Sequence, residues 1–561
     1  MLQIYIAVEG VTNNSPDTDN RLGQRVRRQA DYRGIVSDKK YEWLFAGVVC
    51  LQAGAWILIP YFTLPNPPID VLEGFVWSQN IALGYLKGPP LFAWLLGLGD
   101  ALLPGSLLPP LILSQVAIAI TYWAVWRLAK RLLGQRDALA VLGLTTTIYY
   151  FGYPSPEFNP IILQMAFSAI TCSFYYTALI ENRQRDWIIV GLAVGVGVLS
   201  RYSIALYLLP MAIFTLLHAE TRWRWLTPSF AAGAVIATAI AAPHVWWVLQ
   251  NELSPLHYID QRADVVEGAG RLIRPLRFAG AQLAALAPAL IVFVLAILPL
   301  HRSPPVYAGS AKLPPLSRNY LIAIAIAPAL FVIVMAIILG RQPRAMWGAG
   351  LWIFTPLLGV ALLREFSFTI YRRRLMAIWA VVFALPAVAF VIAMTLWPTL
   401  SGRNKRTHFP GPALAETVTQ RWHEMTGRPL TYVVGEMWLA GSTGYYSIDR
   451  PQVFQNGSQR EAPWISLNHL KSCGAVVLFH AGVDGEYFTK IFTELGMRYE
   501  EQPAIQLPKP HFAVASQAYT VSWAIAWPSE ESAPSAEASC GRQSRLQKIT
   551  QALKMKTGRP V

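Results

Sequence analysis

Asp70-Val-Leu-Glu73-Gly-Phe-Val-Trp77-Ser-Gln-Asn-Ile-Ala-Leu-Gly84-Tyr85-Leu-Lys87-Gly-Pro89-Pro90-Leu-Phe-Ala-Trp94 is the stretch on which the reading of this chain turns. It sets two carboxylates and a lysine just past the first long apolar segment, where charge is expensive unless it is used. Chemistry on a lipid-borne substrate belongs in such a place.

Composition fixes the class. With 54% hydrophobic residues, 14% charged residues and 20 Trp in 561, the chain is too apolar for a soluble protein of this size. It reads as a polytopic α-helical membrane protein. A net charge of +15 suggests a nucleic-acid partner, but the basic residues stand in short groups between apolar segments and form no domain-wide stripe. Membrane orientation accounts for them, and no nucleic acid is expected.

Apolar windows long enough to cross ~30 Å of hydrocarbon number about eleven, and up to thirteen if interrupted stretches are counted. They lie near 42–62, 107–126, 137–153, 158–180, 187–200, 203–218, 227–249, 277–300, 320–340, 346–363 and 375–397. Residues 91–103, broken by Gly97, Gly99 and Asp100, read as an interfacial helix or re-entrant turn. The Arg and Lys groups of the N-terminal segment and of the loops around Arg127, Arg183, Arg222, Arg302 and Arg372 alternate along the chain, which places them in the cytoplasm. Residues 63–106, 154–157, 201–202, 250–276, 341–345 and everything after 398 then share the opposite side. Residues 1–40 lack the apolar core of a cleavable signal, so the first span does the targeting.

The organisation expected is a cytoplasmic segment over 1–40, a transmembrane domain over 41–398 with the loop 63–106 carrying the site, a small extracytoplasmic α/β domain over 399–530, and a basic tail over 531–561. Strand-rich runs at 430–435 and 474–479 alternate with helical stretches near 411–426 and 485–496. Cys50 and Cys172 fall in spans. Cys473 and Cys540 fall in the exported part, where an oxidising compartment permits a disulfide that spacing alone does not establish.

Ionisable residues avoid the span interiors and gather at the exported ends: Asp70, Glu73, Lys87, Glu157, Arg201, His244, Arg341 and Arg344. Ion-coupled transporters bury charge at mid-membrane, so this pattern favours a site at the exported surface. Asp70 is the base candidate, against the plainer reading of a helix N-cap after Pro67-Pro68. Glu73, one helical turn on, either orients a substrate or is a surface glutamate. Lys87, Arg201, Arg341 and Arg344 are cations at headgroup level, suited to a phosphate or to snorkelling. A divalent metal held by Asp70 and Glu157 is the lesser expectation, because no ligand cluster of the usual kind accompanies them, and no cofactor is called for.

The frame Asp70, Gly84-Tyr85, Pro89-Pro90-Leu91 resembles the first extracytoplasmic loop of bacterial glycosyltransferase families 39 and 83, membrane enzymes of the GT-C type. These families include protein O-mannosyltransferases, aminoarabinose transferases and rhizobial galacturonosyltransferases. Ser155-Pro-Glu157-Phe-Asn159 is similar to their second acidic loop and Ser200-Arg201-Tyr202 to a Ser-Lys-Tyr segment. Pro243-His244-Val-Trp-Trp247, Arg344-Ala-Met-Trp347 and Gly441-Ser-Thr-Gly-Tyr-Tyr-Ser-Ile-Asp449-Arg450-Pro451 agree with the rhizobial-type branch. The chain departs from the pattern with Glu73 in place of an Asp-Glu pair and with Gly88 where relatives often carry His. The resemblance implies an inverting GT-C glycosyltransferase of the bacterial inner membrane that moves one sugar from a polyprenyl-phosphate donor to lipid A or lipopolysaccharide core. It implies catalysis by Asp70 and Glu73, donor-phosphate binding by Lys87, Arg201, Arg341 and Arg344, and substrate orientation by Tyr85, Glu157, Asn159 and His244. The alternatives are a protein O-mannosyltransferase and, outside enzymes, a sugar-lipid flippase or inactive scaffold.

Overall fold

The computed structural model describes residues 16–262, 268–297, 312–365, 372–480, 485–508, 519–529 and 540. Arg302, the side chains of the basic segment up to residue 38, and the expected tail apart from Cys540 lie outside the described residues.

All eleven apolar windows fall on helical segments. Six are helices of 20 to 28 residues, long and apolar enough to cross a membrane: Lys39–Thr63, Leu108–Leu133, Pro160–Leu179, Pro228–Gln250, Gly270–Ile297 and Arg374–Ser401. Three are pairs bent at a short break: Tyr202–Leu217 with Ala219–Leu226, Pro315–Ala325 with Ala327–Leu339, and Ala345–Trp352 with Thr355–Arg364. The other two are the 12-residue helix Gln135–Thr146 and the 15-residue helix Asp186–Ser200, short of the ~20 residues a span needs. The described residues thus give six spans, or up to nine with each bent pair as one, against the eleven expected. Leu91–Leu102, expected as an interfacial helix, is a 12-residue helix.

Beyond Ser401 a five-stranded sheet forms in the order β2-β1-β3-β5-β4, with β1 Tyr432–Gly435, β2 Gln452–Gln455, β3 Ala475–Phe479, β4 Tyr499–Leu507 and β5 Tyr519–Ala526. β1 pairs in parallel with β2 and β3, whereas β5 runs antiparallel to both β3 and β4. Its two faces follow the two-residue period of a strand. Val433, Val476, Leu478, Trp523 and Ile525 pack on one side, and Tyr432, Val434, Val477, Phe479 and Ala524 on the other. Cys473 and Cys540 are joined in a disulfide.

The helix Ile69–Ser78 joins the two halves. Pro68 occupies its N-cap position, and a proline there forbids helix on its N-terminal side, so the helix starts where the loop leaves the first span. Val71 and Trp77 enter the core of the membrane helices, while Leu72, Phe75 and Val76 enter the core that covers the sheet. The i, i+3, i+4 spacing of the second set makes a stripe facing the sheet, and each such buried side chain contributes ~1.5–3 kcal/mol. One ten-residue helix is therefore held by two cores.

Candidate active site

Asp70 lies in the first turn of Ile69–Ser78, not at its cap, where its charge also complements the helix dipole. Two residues from distant parts of the chain are its electrostatic neighbours: Glu157, on the turn before the span Pro160–Leu179, and Arg201, at the end of Asp186–Ser200. Burial, and then the Asp70 charge, push the Glu157 carboxyl up to about 8. Burial lowers Arg201 to about 10, although Asp70 favours its charged form. Glu157 therefore holds its proton more tightly than an ordinary carboxyl, and Arg201 stands as a counter-charge to Asp70. Arg201 is aimed by a relay: its Nε donates to Ser203 Oγ at 3.0 Å, and Ser203 donates to Gln164 Oε1 at 2.6 Å.

Glu73 and Lys87 form an ion pair with each other. Burial works against the Lys87 charge, but Glu73 outweighs it and raises the ammonium above its ordinary value. The Lys87 ammonium also lies 5.6 Å from the Tyr258 ring centroid.

The rest of the loop is held by the motif residues. Tyr85 stacks on Trp77 at 5.2 Å and donates its hydroxyl to the Asn80 carbonyl at 2.8 Å. Tyr85 and Gly88 exchange backbone hydrogen bonds of 3.0 Å, closing the turn that carries Lys87. His244 is buried, with Nδ1 2.7 Å from the Leu83 carbonyl and Nε2 2.8 Å from the Tyr202 hydroxyl. A carbonyl can only accept, so Nδ1 carries the proton and the ring clamps the loop to the span Pro228–Gln250. A Cβ at Gly84 would lie 2.3 Å from Trp247, so glycine is what lets this aromatic close on the loop. Asn159 caps Pro160–Leu179, its Oδ1 accepting from the amides of Ile161 and Ile162 at 3.0 and 3.2 Å.

Glu157 and Asn159 stand in the wall of a cavity of about 420 Å³ whose other lining is mostly apolar, including Ile161, Met165, Ala285 and Met346. Arg344, exposed, directly precedes the wall residues Ala345 and Met346. That segment is pinned from two sides, the Ala345 carbonyl accepting from Tyr150 at 2.8 Å and from Gln282 Nε2 at 2.9 Å. Gly348 makes room for the amide, since a Cβ there would meet Gln282 Oε1 at 1.8 Å. Arg341 is ion-paired with Asp260.

The structure thus brings Asp70, Glu157 and Arg201 together, puts Asn159 beside Glu157, and gives Tyr85 and His244 contacts that hold the loop. An apolar cavity with a carboxyl in its wall, beside a second carboxylate and a half-buried cation, suits a substrate with a lipid tail and a polar reacting end. The same architecture recurs in a solved protein. ArnT from Cupriavidus metallidurans matches with a TM-score of 0.53 bound to undecaprenyl phosphate and 0.55 in the apo state, at 15% and 13% identity. The matches cover 87% and 88% of this chain and 98% and 99% of that one. The chain shares the fold of ArnT.

Sequence comparisons agree with the resemblance to families 39 and 83. A model described as dolichyl-phosphate-mannose-protein mannosyltransferase matches residues 87–247, which include Lys87, Glu157, Arg201 and His244. The lipid A galacturonosyltransferase RgtD of Rhizobium johnstonii is 26% identical over 240 residues, 42% of this chain and 49% of that protein. RgtA of the same organism, a lipopolysaccharide core galacturonosyltransferase, is 26% identical over 37% of this chain and 41% of its own. The undecaprenyl phosphate-alpha-4-amino-4-deoxy-L-arabinose arabinosyl transferase of Edwardsiella ictaluri is 27% identical over 36% and 34%. The matched stretches span half or less of these relatives' lengths.

Asp70 and Glu157, the two residues named for a divalent cation, are electrostatic neighbours. Among the described residues one group of three ligand-type side chains lies within mutual reach, His469 with Cys473 and Cys540, and its two sulfurs are in the disulfide. Gln164, Gln282 and Tyr150 are not among the residues expected at the site, and Tyr202 is expected only as part of the Ser200-Arg201-Tyr202 segment. Their signal is a glutamine inside an apolar window, Gln164 in 158–180 and Gln282 in 277–300, and an uncharged amide stands out less there than a charge would.

Proposed function

We propose that the chain is an inverting glycosyltransferase that moves one sugar from a polyprenyl-phosphate donor to lipid A or lipopolysaccharide core at the exported face of the bacterial inner membrane. The observation that carries this reading is the meeting of Asp70, Glu157 and Arg201 beside a mostly apolar cavity. The acceptor class rests on what the relatives' names say of those proteins.

In this reading the polyprenyl chain lies along the apolar wall and its phosphate meets Arg344 and Arg201. Asp70 takes the proton of the acceptor hydroxyl, whose oxygen attacks the anomeric carbon from the side opposite the phosphate. The bond from that carbon to the phosphate oxygen breaks, and the cations stabilise the charge gathering on the phosphate. Glu157, protonated, donates a hydrogen bond within the site. Glu73 keeps Lys87 in place, and Arg341 fixes its segment through Asp260. Residues 63–106 and the sheet-bearing unit share the exported side, with the N-terminus in the cytoplasm.

The test is a comparison of lipid A and lipopolysaccharide mass spectra from cells with the wild-type chain, with Asp70→Ala at equal abundance, and with neither. A one-sugar increment that appears with wild type and vanishes with Asp70→Ala is expected. Identical spectra from all three would sink the acceptor assignment and turn attention to secreted proteins.

A further inference from the structure

A second cavity, about 380 Å³, lies where the linker after Ser401 crosses between the loop helix and the sheet. One wall is Ile69, the residue before Asp70, so its occupant sits next to the backbone that carries the base. Aromatic rings form another: Phe409 packs 6.1 Å from Trp438 and 5.4 Å from Tyr519, with Trp438 and Tyr519 also facing the cavity. The polar lining is mainly basic, with Lys405 and Arg406 against the single ion pair of Glu436 and His480 at 3.1 Å.

Two details point to a ligand. Asn404 hydrogen-bonds Tyr519, yet its Oδ1 is buried without a hydrogen-bond partner. A buried acceptor left unpaired is costly, and since Asn404 lines this cavity a turn of its side chain would present the oxygen to a hydroxyl bound there. Lys405, which lines the cavity, spends one N–H on the Tyr153 hydroxyl at 2.7 Å and keeps two donors. Aromatic faces, an orphan acceptor for a hydroxyl and a fork of cations are together the chemistry of an anionic sugar. The volume falls within the range of small-molecule sites.

We infer that this cavity binds an anionic saccharide, and, resting on the transferase reading above, that it holds the charged sugar of the acceptor while a neighbouring hydroxyl reaches Asp70. The test is isothermal titration of the full chain in nanodiscs with glucose 1-phosphate, with inorganic phosphate and glucose as separate titrants. Saturable binding of glucose 1-phosphate is expected, weakened about tenfold by Arg406→Gln and by Asn404→Asp, the second placing a like charge against the ligand. Arg406 is exposed, so its substitution leaves the fold intact should Asn404→Asp lower the unfolding midpoint. Absence of saturable binding, unchanged affinity in Arg406→Gln, or inorganic phosphate or glucose binding as tightly as the sugar phosphate would each overturn the assignment. Binding is read without turnover. A chain that adds no sugar to any acceptor but binds glucose 1-phosphate through Arg406 overturns the transferase reading and leaves the site standing.

Discussion

In the proposed reaction Asp70 and Glu157, which carry the same functional group, play different roles. Glu157 is pushed up to about 8 by burial and by Asp70. A carboxyl whose folded pKa lies above its ordinary 4.5 favours the folded state while protonated. Its contribution is complete below 4.5 and is lost as pH rises through about 8. Glu157→Gln, neutral throughout, removes that dependence. Measured by thermal unfolding, the stability of wild type relative to the variant is expected to fall between pH 5 and 8, by no more than ~1.4 kcal/mol per pH unit. A constant difference would mean Glu157 titrates normally. In turnover at pH 7, Asp70→Asn is expected to lose ~10²–10⁴-fold, the range for a general base, and Glu157→Gln far less. The sequence showed both carboxylates as loop residues, because exposed ends of apolar windows are visible in composition. It did not show that Arg201 joins them, or that Lys87 is paired with Glu73, since partners 14 to 131 residues apart are set by packing.

At the scale of elements, the helix Ile69–Ser78 depends on a latch from the sheet. Arg450 is ion-paired with Asp100, which is 4% exposed, and its guanidinium covers the Phe75 ring at 4.8 Å. Asp100 also accepts from the Gly105 amide at 3.0 Å, and Tyr445 donates to the Ser106 carbonyl at 2.7 Å. Gln79, just past the helix, donates to the Pro451 carbonyl at 2.9 Å and accepts from the Val453 amide at 3.1 Å. Arg450 holds a positive φ of 52°, a conformation a non-glycine residue keeps only when its surroundings impose it. Removing one partner of a fully buried pair costs ~3–5 kcal/mol, an upper bound here because Arg450 is half-buried, whereas replacing both with apolar residues costs much less. Arg450→Leu, which strands the buried Asp100, is expected to destabilise by up to that amount and Asp100→Leu by less, with the double variant recovering most of the loss in denaturant unfolding. Additive losses would show that the pair is not coupled. The Gly441–Pro451 motif was legible as a family feature, and the windows were legible as helices. The latch was not, because Asp100 read only as an interruption of an apolar stretch.

For the whole molecule, the consequence of two cores meeting on one helix is that the membrane part and the sheet do not stabilise the site separately. Leu72, Phe75 and Val76 are 0–1% exposed and lie against Leu439, Tyr445 and Trp438 of the later unit. Without that unit three large apolar side chains of the loop would face water beside the membrane, at ~1.5–3 kcal/mol each. Val71 and Trp77, with Gly74 closed against Phe92 and Leu96, would then be the apolar contacts left to tether the helix to the spans. Local opening free energy follows the buried contacts an element retains. A chain ending at Ser401 is therefore expected to insert and keep its spans while amides of residues 69–78 exchange hydrogen at least a hundredfold faster than in the full chain. Exchange measured by mass spectrometry in nanodiscs checks this, with the span Leu108–Leu133 as the internal standard because its contacts lie within the membrane part. Equal protection of 69–78 in both chains would mean that the membrane helices order the loop unaided, and would confine the sheet to ligand binding.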